Sequence, residues 1–211
     1  MFARILLVCL LYPTAALAAP LPKPEAAESG LELRLTTPTS KVKRGQNVRW
    51  ELTIVNRGKQ EMTLVQPGDG SDCGWRTPII EWLVNGKING AIEEPEKVSS
   101  DTPVRKPELQ PACLTGRMQG IARCGNINHL SAQEIVVLKP GQKVTMNSWM
   151  GAPDLRNEKG PFKVSVRYFN IPDLKWKGIP LGDHDSKAMD QVKQSNRVAL
   201  ESNVLEIVVE D

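Results

Sequence analysis

Cysteine and histidine side chains are the groups in this chain that could supply a nucleophile and its base. Cysteine catalysis needs a thiolate with a base beside it, and Cys73 or Cys124 with His129 or His184 could provide both. The competing interpretation is a structural disulfide with surface histidines. The sequence contains no Gly-x-Ser-x-Gly elbow, no His-Glu-x-x-His pair and no glycine-rich phosphate loop. We therefore predict a protein that is not an enzyme.

Metal binding is the second chemistry that these residue types allow. Potential ligands are Asp69, Asp72, His129 and His184. Two histidines at unrelated positions do not form a zinc spacing, and the short Asp-Gly-Ser-Asp stretch lacks the length and the terminal Glu of a calcium loop. The aspartates are equally suited to capping turns through backbone N–H groups. A metal site or an enzyme site at these four residues stays an alternative, and no cofactor is predicted.

Tryptophans in polar loops give the strongest indication of binding. Trp75 and Trp176 lie in segments rich in Asp, Arg, Lys and Gly, and Arg76 follows the first of them directly. An indole beside polar groups is typical of a protein-contact hot spot and can also stack on a sugar ring. We predict Trp75, Arg76 and Trp176 as contacts for a protein or carbohydrate partner. The alternative is that each indole plugs one end of the core.

The N-terminus has the pattern of a cleaved secretory signal. A single positive charge, Arg4, precedes the apolar run 5–11, and Ala16-Leu17-Ala18 gives the small-x-small pattern of a cleavage site. A buried helix or a membrane anchor is the alternative, but the apolar run is too short to span a bilayer. We predict a signal peptide at 1–18, a flexible Pro- and Ala-rich leader at 19–30, and a secreted or periplasmic protein.

The charge distribution argues against a nucleic-acid partner, and the length of the apolar stretches argues against membrane insertion. The chain has 27 Lys and Arg against 24 Asp and Glu, a formal net charge of +3, and the two signs are interspersed. This is not the basic stripe of a nucleic-acid-binding protein. No later stretch has the length of a membrane helix. We predict no nucleic-acid partner, no membrane insertion, and one domain over residues 31–211.

Three cysteines remain after cleavage of the signal: Cys73, Cys113 and Cys124. In an oxidising compartment two of them should pair. Cys73 with Cys124 is the first choice, and Cys113 with Cys124 stays open as the more local pair. The long-range disulfide would stabilise the fold by about 3–4 kcal/mol on the loop-entropy account.

Period-2 alternation predicts most of the strands. Residues 47–66 read as a β-hairpin: Val48, Trp50, Leu52 and Ile54 alternate with polar neighbours, and residues 56–59 form the turn before the pattern resumes at Met62. This places Trp50 in the core.

The same pattern recurs along the rest of the chain. It predicts strands at 31–37, 78–84 (with Trp82 in the core), 135–138, 144–146, 162–168 and 205–209, and the Asn85-Gly86 pair is a turn signal. Asp185 is placed to cap a short helix at 186–194. We predict an all-β fold: an immunoglobulin-like antiparallel β-sandwich with long loop insertions and one short helix.

Three segments without strand periodicity, 67–77, 87–132 and 170–184, are long for a compact domain, and such loops commonly carry function. The leading hypothesis is a non-enzymatic binding module that uses them. A protease inhibitor with one of these loops as bait is a further alternative.

Two resemblances support this interpretation. The turn at 138–142 and the strand pattern resemble bacterial immunoglobulin-like modules, including the BsuPI-type proteinase-inhibitor fold. Residues 68–78 (GDGSDCGWRTP), 123–128 (RCGNIN) and 171–178 (IPDLKWKG) resemble motifs of a family of uncharacterised secreted bacterial proteins. The second resemblance implies secretion and favours Cys73–Cys124 as the disulfide, because Cys113 lies outside all three motifs.

Overall fold

A computed structural model describes residues 30–72, 74–90, 109–114, 125–146, 151–182 and 185–211, and these ranges form a mainly β protein with one short helix. The strands are β1 (Leu31–Thr36), β2 (Lys41–Lys43), β3 (Glu51–Asn56), β4 (Met62–Val65), β5 (Ile79–Val84), β6 (Lys87–Ile88), β7 (Asn126–Asn128), β8 (Ile135–Leu138), β9 (Lys143–Met146), β10 (Gly160–Asn170), β11 (Ile179–Leu181), β12 (Val198–Glu201) and β13 (Leu205–Glu210). The helix α1 is Ser186–Gln194, and short 3-10 turns lie at Ala112–Leu114 and Ala132–Glu134.

Two larger sheets contain most of these strands. The first has the order β1-β3-β9 and is antiparallel throughout. The second has the order β2-β13-β10-β5-β6, and β12 pairs with the C-terminal half of β10. Two further pairs, β4 with β8 and β7 with β11, stand apart from them. All-β architecture is therefore confirmed.

One hydrophobic cluster contains residues from both larger sheets. Leu33 and Ile54 come from the first sheet, and Val166, Tyr168 and Ile207 come from the second. Each of these side chains is buried, as period-2 strands with one covered face require. The Tyr168 hydroxyl donates to the Val65 carbonyl oxygen at 2.8 Å, so the one polar atom of that ring is paired. Burial raises the pKa of Tyr168.

The predicted hairpin at 47–66 is wrong in its pairing, although both of its strands exist. β3 pairs with β1 and β9, whereas β4 pairs with β8. Asn56 explains the separation: its buried side-chain amide donates to the carbonyl oxygens of Gln60 and Leu138, and its Oδ1 accepts from Gly58 N. The bend therefore carries the chain out of the first sheet instead of folding it back along β3.

The start of β3 also differs from the alternating pattern. The strand begins at Glu51, which is paired with Thr36, the last residue of β1. On the other side, β9 ends at Met146, paired with Leu52. Residues 47–50 therefore lie outside the sheet, and Trp50 is half-buried, not enclosed in the core.

The local predictions with a specific capping or turn residue are confirmed. Asn85 (φ 51°) and Gly86 (φ 79°) form the turn between β5 and β6. Asp185 Oδ1 accepts from Lys187 N and Ala188 N at the start of α1, the ordinary N-cap arrangement. Ala188 is buried on the inner face of the helix.

Several predictions fall outside the described residues: the signal peptide at 1–18, the leader up to residue 29, the Cys73–Cys124 disulfide, His184, and most of the 87–132 segment. In the ranges that are described, no helix is long and apolar enough to cross a membrane.

Candidate functional site: a cluster of three loops

Residues from the three motif segments lie together at one place in the fold. We call residues 68–72, 74–78, 125–128 and 171–181 the loop cluster. Its members are far apart in sequence, but backbone hydrogen bonds join them directly. Lys177 N donates to the Trp75 carbonyl oxygen at 3.0 Å, and Ile179 N donates to the Gly125 carbonyl oxygen.

A small parallel ladder holds the second and third segments side by side. β11 pairs with β7 in the register Ile179↔Asn126 and Leu181↔Asn128. The first segment is tied to the second by Asp69, whose Oδ2 accepts from Asn128 N at 3.0 Å. Each segment thus satisfies backbone groups of another, so the cluster is a defined structure and not three independent loops.

Ile127 is the apolar centre of the cluster. Its side chain is fully buried. Its Cγ2 atom fills space that a side chain at position 70 or 178 would need, and both of those positions are glycine. A Cβ on Gly70 would be 3.0 Å from this methyl group, and a Cβ on Gly178 would be 2.8 Å from it. The two glycines therefore let the first and third segments close on Ile127 from either side.

A buried ion pair lies beneath one of the two predicted tryptophan contacts, Trp176. The Arg76 side chain is only 1% exposed, and a guanidinium nitrogen donates to Glu134 Oε1 at 2.8 Å. The guanidinium carbon lies 5.2 Å from the centroid of the Trp176 ring, within cation–π range. Arg76 therefore holds Trp176 in place from below and does not reach the surface itself.

Glu134 is fixed in turn by its own 3-10 turn. Its Oε2 accepts from Ser131 N at 2.9 Å, which completes a capping box. Gly68 leaves room for this carboxylate, because a Cβ there would stand 2.6 Å from Glu134 Oε1. The carboxylate thus accepts hydrogen bonds at both oxygens, which offsets the cost of removing most of it from water.

The outer surface of the cluster combines aromatic, aliphatic and basic groups. Trp75 and Trp176 are half-buried, and Trp176 also packs against the small core of Val65, Leu130, Ala188 and Val192. Ile179 is 69% exposed and Leu181 is 52% exposed. Lys175 and Lys177 are exposed nearby in sequence. Adjacent exposed aliphatic residues with aromatic neighbours are typical of a contact surface.

The edge of β11 is poorly suited to adding another strand. Residues 179 and 181 direct their backbone groups to β7, so the backbone groups of the residue between them point away from β7. That residue is Pro180, which has no N–H to donate. A partner at this edge would therefore recognise the side chains of Ile179 and Leu181 and not the backbone.

Two of the four residues of the alternative metal or enzyme site, Asp69 and His129, accept hydrogen bonds from backbone N–H groups. Asp69 caps the backbone of Asn128, as described above, and His129 Nε2 accepts from Asp185 N at 3.1 Å. Asp72 is half-buried. Across the ranges that the structure covers, no group of three or more His, Cys, Asp or Glu side chains could hold a metal ion.

A second polar group, Glu81 on β5, anchors part of the long insertion. Glu81 is 3% exposed, and its Oε1 accepts from Ala112 N at 2.5 Å. Its Oε2 is buried with no hydrogen-bond partner among the described residues. Burial raises the pKa of this carboxyl, and the N–H groups of Ala112 and Cys113 and the charge of Arg167 oppose that shift.

Sequence reasoning missed three residues that build the site: Ile127, Glu134 and Gly178. Only Glu134 had a local signal, the Ser-x-x-Glu spacing from Ser131. The importance of Ile127 and Gly178 follows from contacts between segments about 50 residues apart in the chain, which no local pattern contains.

No protein-family model matches the chain, and no curated protein matches it.

Proposed function

We propose that this protein is an exported, non-enzymatic binding module that recognises a protein partner through the loop cluster. The observation that carries the proposal is the convergence of the three segments around Ile127, with Ile179 and Leu181 exposed beside them. Trp75 and Trp176 are the aromatic contacts of this surface. Arg76 is a positioning residue, since its guanidinium is buried under Trp176.

The scaffold in this proposal is an immunoglobulin-like β-sandwich. Two antiparallel or mainly antiparallel sheets that share one core support it, as do strands joined mostly by turns and loops. The distant resemblance to the BsuPI-type fold and to secreted bacterial proteins agrees with this scaffold. Export after cleavage of residues 1–18 belongs to the same proposal and rests on the signal-like sequence alone.

The test is differential capture from an extract of the cell envelope of the producing organism. The wild-type protein and a Trp75→Ala/Trp176→Ala variant are immobilised in equal amounts, after circular dichroism has shown the same fold. We expect the variant to lose the proteins that the wild type retains. A partner set that is identical for the two proteins would remove the loop cluster as the binding surface.

A second variant, which changes no residue in the interior of the cluster, distinguishes loss of a contact from loss of capture caused by unfolding. Ile179→Ser/Leu181→Ser changes only exposed side chains, and Val204→Ser is its control because Val204 is 59% exposed at a site between β12 and β13. Loss of capture with the first variant and retention with the second would locate the contact on β11.

A further inference from the structure

A groove outside the loop cluster lies where the first sheet ends. It has a volume of about 600 Å³ and is lined by residues 47, 48, 50 and 51, by residues 145–146 and by residues 152–156. This volume is within the range of sites for small organic ligands. The groove shares no residue with the loop cluster.

Trp50 lines this groove because the pairing of β3 with its neighbours ends before this residue. β1 and β9 provide partners for β3 only as far as Glu51 and Leu52, so Trp50 lies beyond the paired region. Its ring packs against Trp82, with ring centroids 5.5 Å apart and planes tilted by 55°. That contact fixes an aromatic ring at the groove while leaving the residue half-exposed to it.

Residues 152–156 bring an ion pair to the lining of the groove. Arg156 donates from Nε to Asp154 Oδ1 at 2.9 Å and from a second nitrogen to Oδ2 at 2.6 Å. This bidentate geometry places the donors of Arg156 beside the acceptors of Asp154, with each side chain about half exposed. The Arg156 hydrogen bonds lower the pKa of Asp154 to about 2, so the pair stays ionised at neutral pH. Buried Pro153 and Leu155 alternate with the two charged residues.

The lining therefore joins apolar surface to donors and acceptors with little net charge. Glu51, Asp154 and Arg156 are the charged members, and they sum to one negative charge. The Asn47 amide and the Thr145 hydroxyl add neutral hydrogen-bonding groups. The one cation of the lining, Arg156, is already paired with Asp154, so the groove favours a neutral ligand that presents both apolar surface and hydrogen-bonding groups.

We propose that this groove binds a neutral oligosaccharide, with a sugar ring against Trp50 and its hydroxyl groups on Asp154 and Arg156. A pyranose ring has one face of C–H groups, which an indole covers well, and an edge of hydroxyls that both donate and accept. The fixed Asp154–Arg156 pair presents acceptors and donors side by side without needing to be reoriented. The proposal is independent of the loop cluster and its protein partner.

Isothermal titration calorimetry with maltotriose, cellotriose and triacetylchitotriose tests this assignment. We expect at least one of the three to bind the wild-type protein with a dissociation constant of about 1 mM or tighter. The Asp154→Asn/Arg156→Gln variant should bind it at least about tenfold more weakly, and Trp50→Phe several-fold more weakly, because the smaller ring covers less of the sugar.

The matched control is Glu32→Gln/Arg34→Gln. This pair has the same two-residue spacing and the same bidentate contacts, but it lies on β1 and does not line the groove. Weaker binding by either groove variant, with the control unchanged, supports the proposal. It is overturned if none of the three sugars binds at about 10 mM, or if the groove variants bind as well as the control.

Discussion

The guanidinium carbon of Arg76 lies 5.2 Å from the centre of the Trp176 ring, while a guanidinium nitrogen of the same residue bonds Glu134 at 2.8 Å. One buried cation thus links the first segment of the loop cluster, the third segment and the 3-10 turn before β8. The surface proposed for binding depends on an interior charge that no partner could touch.

Removal of this cation should destabilise the protein. Arg76→Ala leaves the Glu134 carboxylate largely buried with its main partner gone, and we expect the free energy of unfolding to fall by about 3 kcal/mol. Urea denaturation followed by tryptophan fluorescence measures the change. The double variant Arg76→Met/Glu134→Leu removes both charges and should recover much of the loss.

The control for that experiment is Arg34→Ala, which breaks an exposed ion pair with Glu32. Exposed pairs are screened by solvent, so we expect the denaturation midpoint to move little. Equal midpoints for Arg76→Ala and Arg34→Ala would contradict the structural role of the buried pair.

The closure of the cluster on Ile127 can be tested with two glycines that have nearly the same backbone angle. Gly70 (φ 90°) and Gly45 (φ 87°) are both strained by a side chain, but a Cβ meets Ile127 only at Gly70 and meets nothing within 4 Å at Gly45. We expect Gly45→Ala to cost about 1 kcal/mol of stability and Gly70→Ala to cost about 1–3 kcal/mol more. Thermal and urea unfolding of both variants give the difference, and equal losses would mean that Ile127 does not fill this space.

The contribution of Glu81 to the free energy of unfolding should fall as pH rises. Because burial raises its folded pKa above the ordinary value of 4.5, the folded state binds more protons than the unfolded state between those two pKa values. The contribution of Glu81 to stability therefore falls as pH rises through that interval. Glu81→Gln, which keeps an acceptor for Ala112 N, should be more stable than wild type above the interval.

Unfolding free energies measured from pH 4 to pH 8 check this expectation. The carboxyls of Asp154 and Glu32, whose pKa values are lowered by arginine partners, act in the opposite direction and at lower pH. They are present in both proteins, so the difference between wild type and Glu81→Gln isolates Glu81. A difference that does not change with pH would show that Glu81 is not titrating in this range.

The pairing of the cysteines is a further test, because the structure bears on it. Cys113 Sγ packs so closely on Gly74 that a Cβ at that glycine could not be accommodated. Cys113 makes no disulfide among the described residues, but Cys73 precedes Gly74 directly in the sequence, and we therefore expect Cys113 to compete with Cys124 for Cys73 in the exported protein. Peptide mapping of the exported protein without reduction should recover a Cys73–Cys113 peptide. Recovery of Cys73–Cys124 instead would uphold the pairing implied by the sequence resemblance.

The features predicted correctly from sequence are those with a local cause. Leu31, Leu33 and Leu35 alternate and form β1, Asn85-Gly86 makes a tight turn, and Asp185 caps α1. In each case the residues that determine the structure lie within a few positions of one another.

The errors arose where a distant residue decides the outcome. The hairpin at 47–66 does not form because Asn56 bonds Leu138, 82 residues away. Arg76 reads as a surface contact in a polar loop, but Glu134, 58 residues later, pairs with it in the interior. Period-2 and turn patterns do not contain such partners, so they identify strands better than they identify which strands pair.

The most direct test of the central claim is the affinity of a captured partner for the loop-cluster surface. Biolayer interferometry would compare the wild type, Ile179→Ser/Leu181→Ser and Val204→Ser, all at neutral pH and equal density. We predict at least about tenfold weaker binding for the β11 variant and no change for Val204→Ser, since truncating residues that anchor an interface costs more than about 1 kcal/mol. Equal affinity for all three proteins would contradict the assignment of the loop cluster as the binding surface.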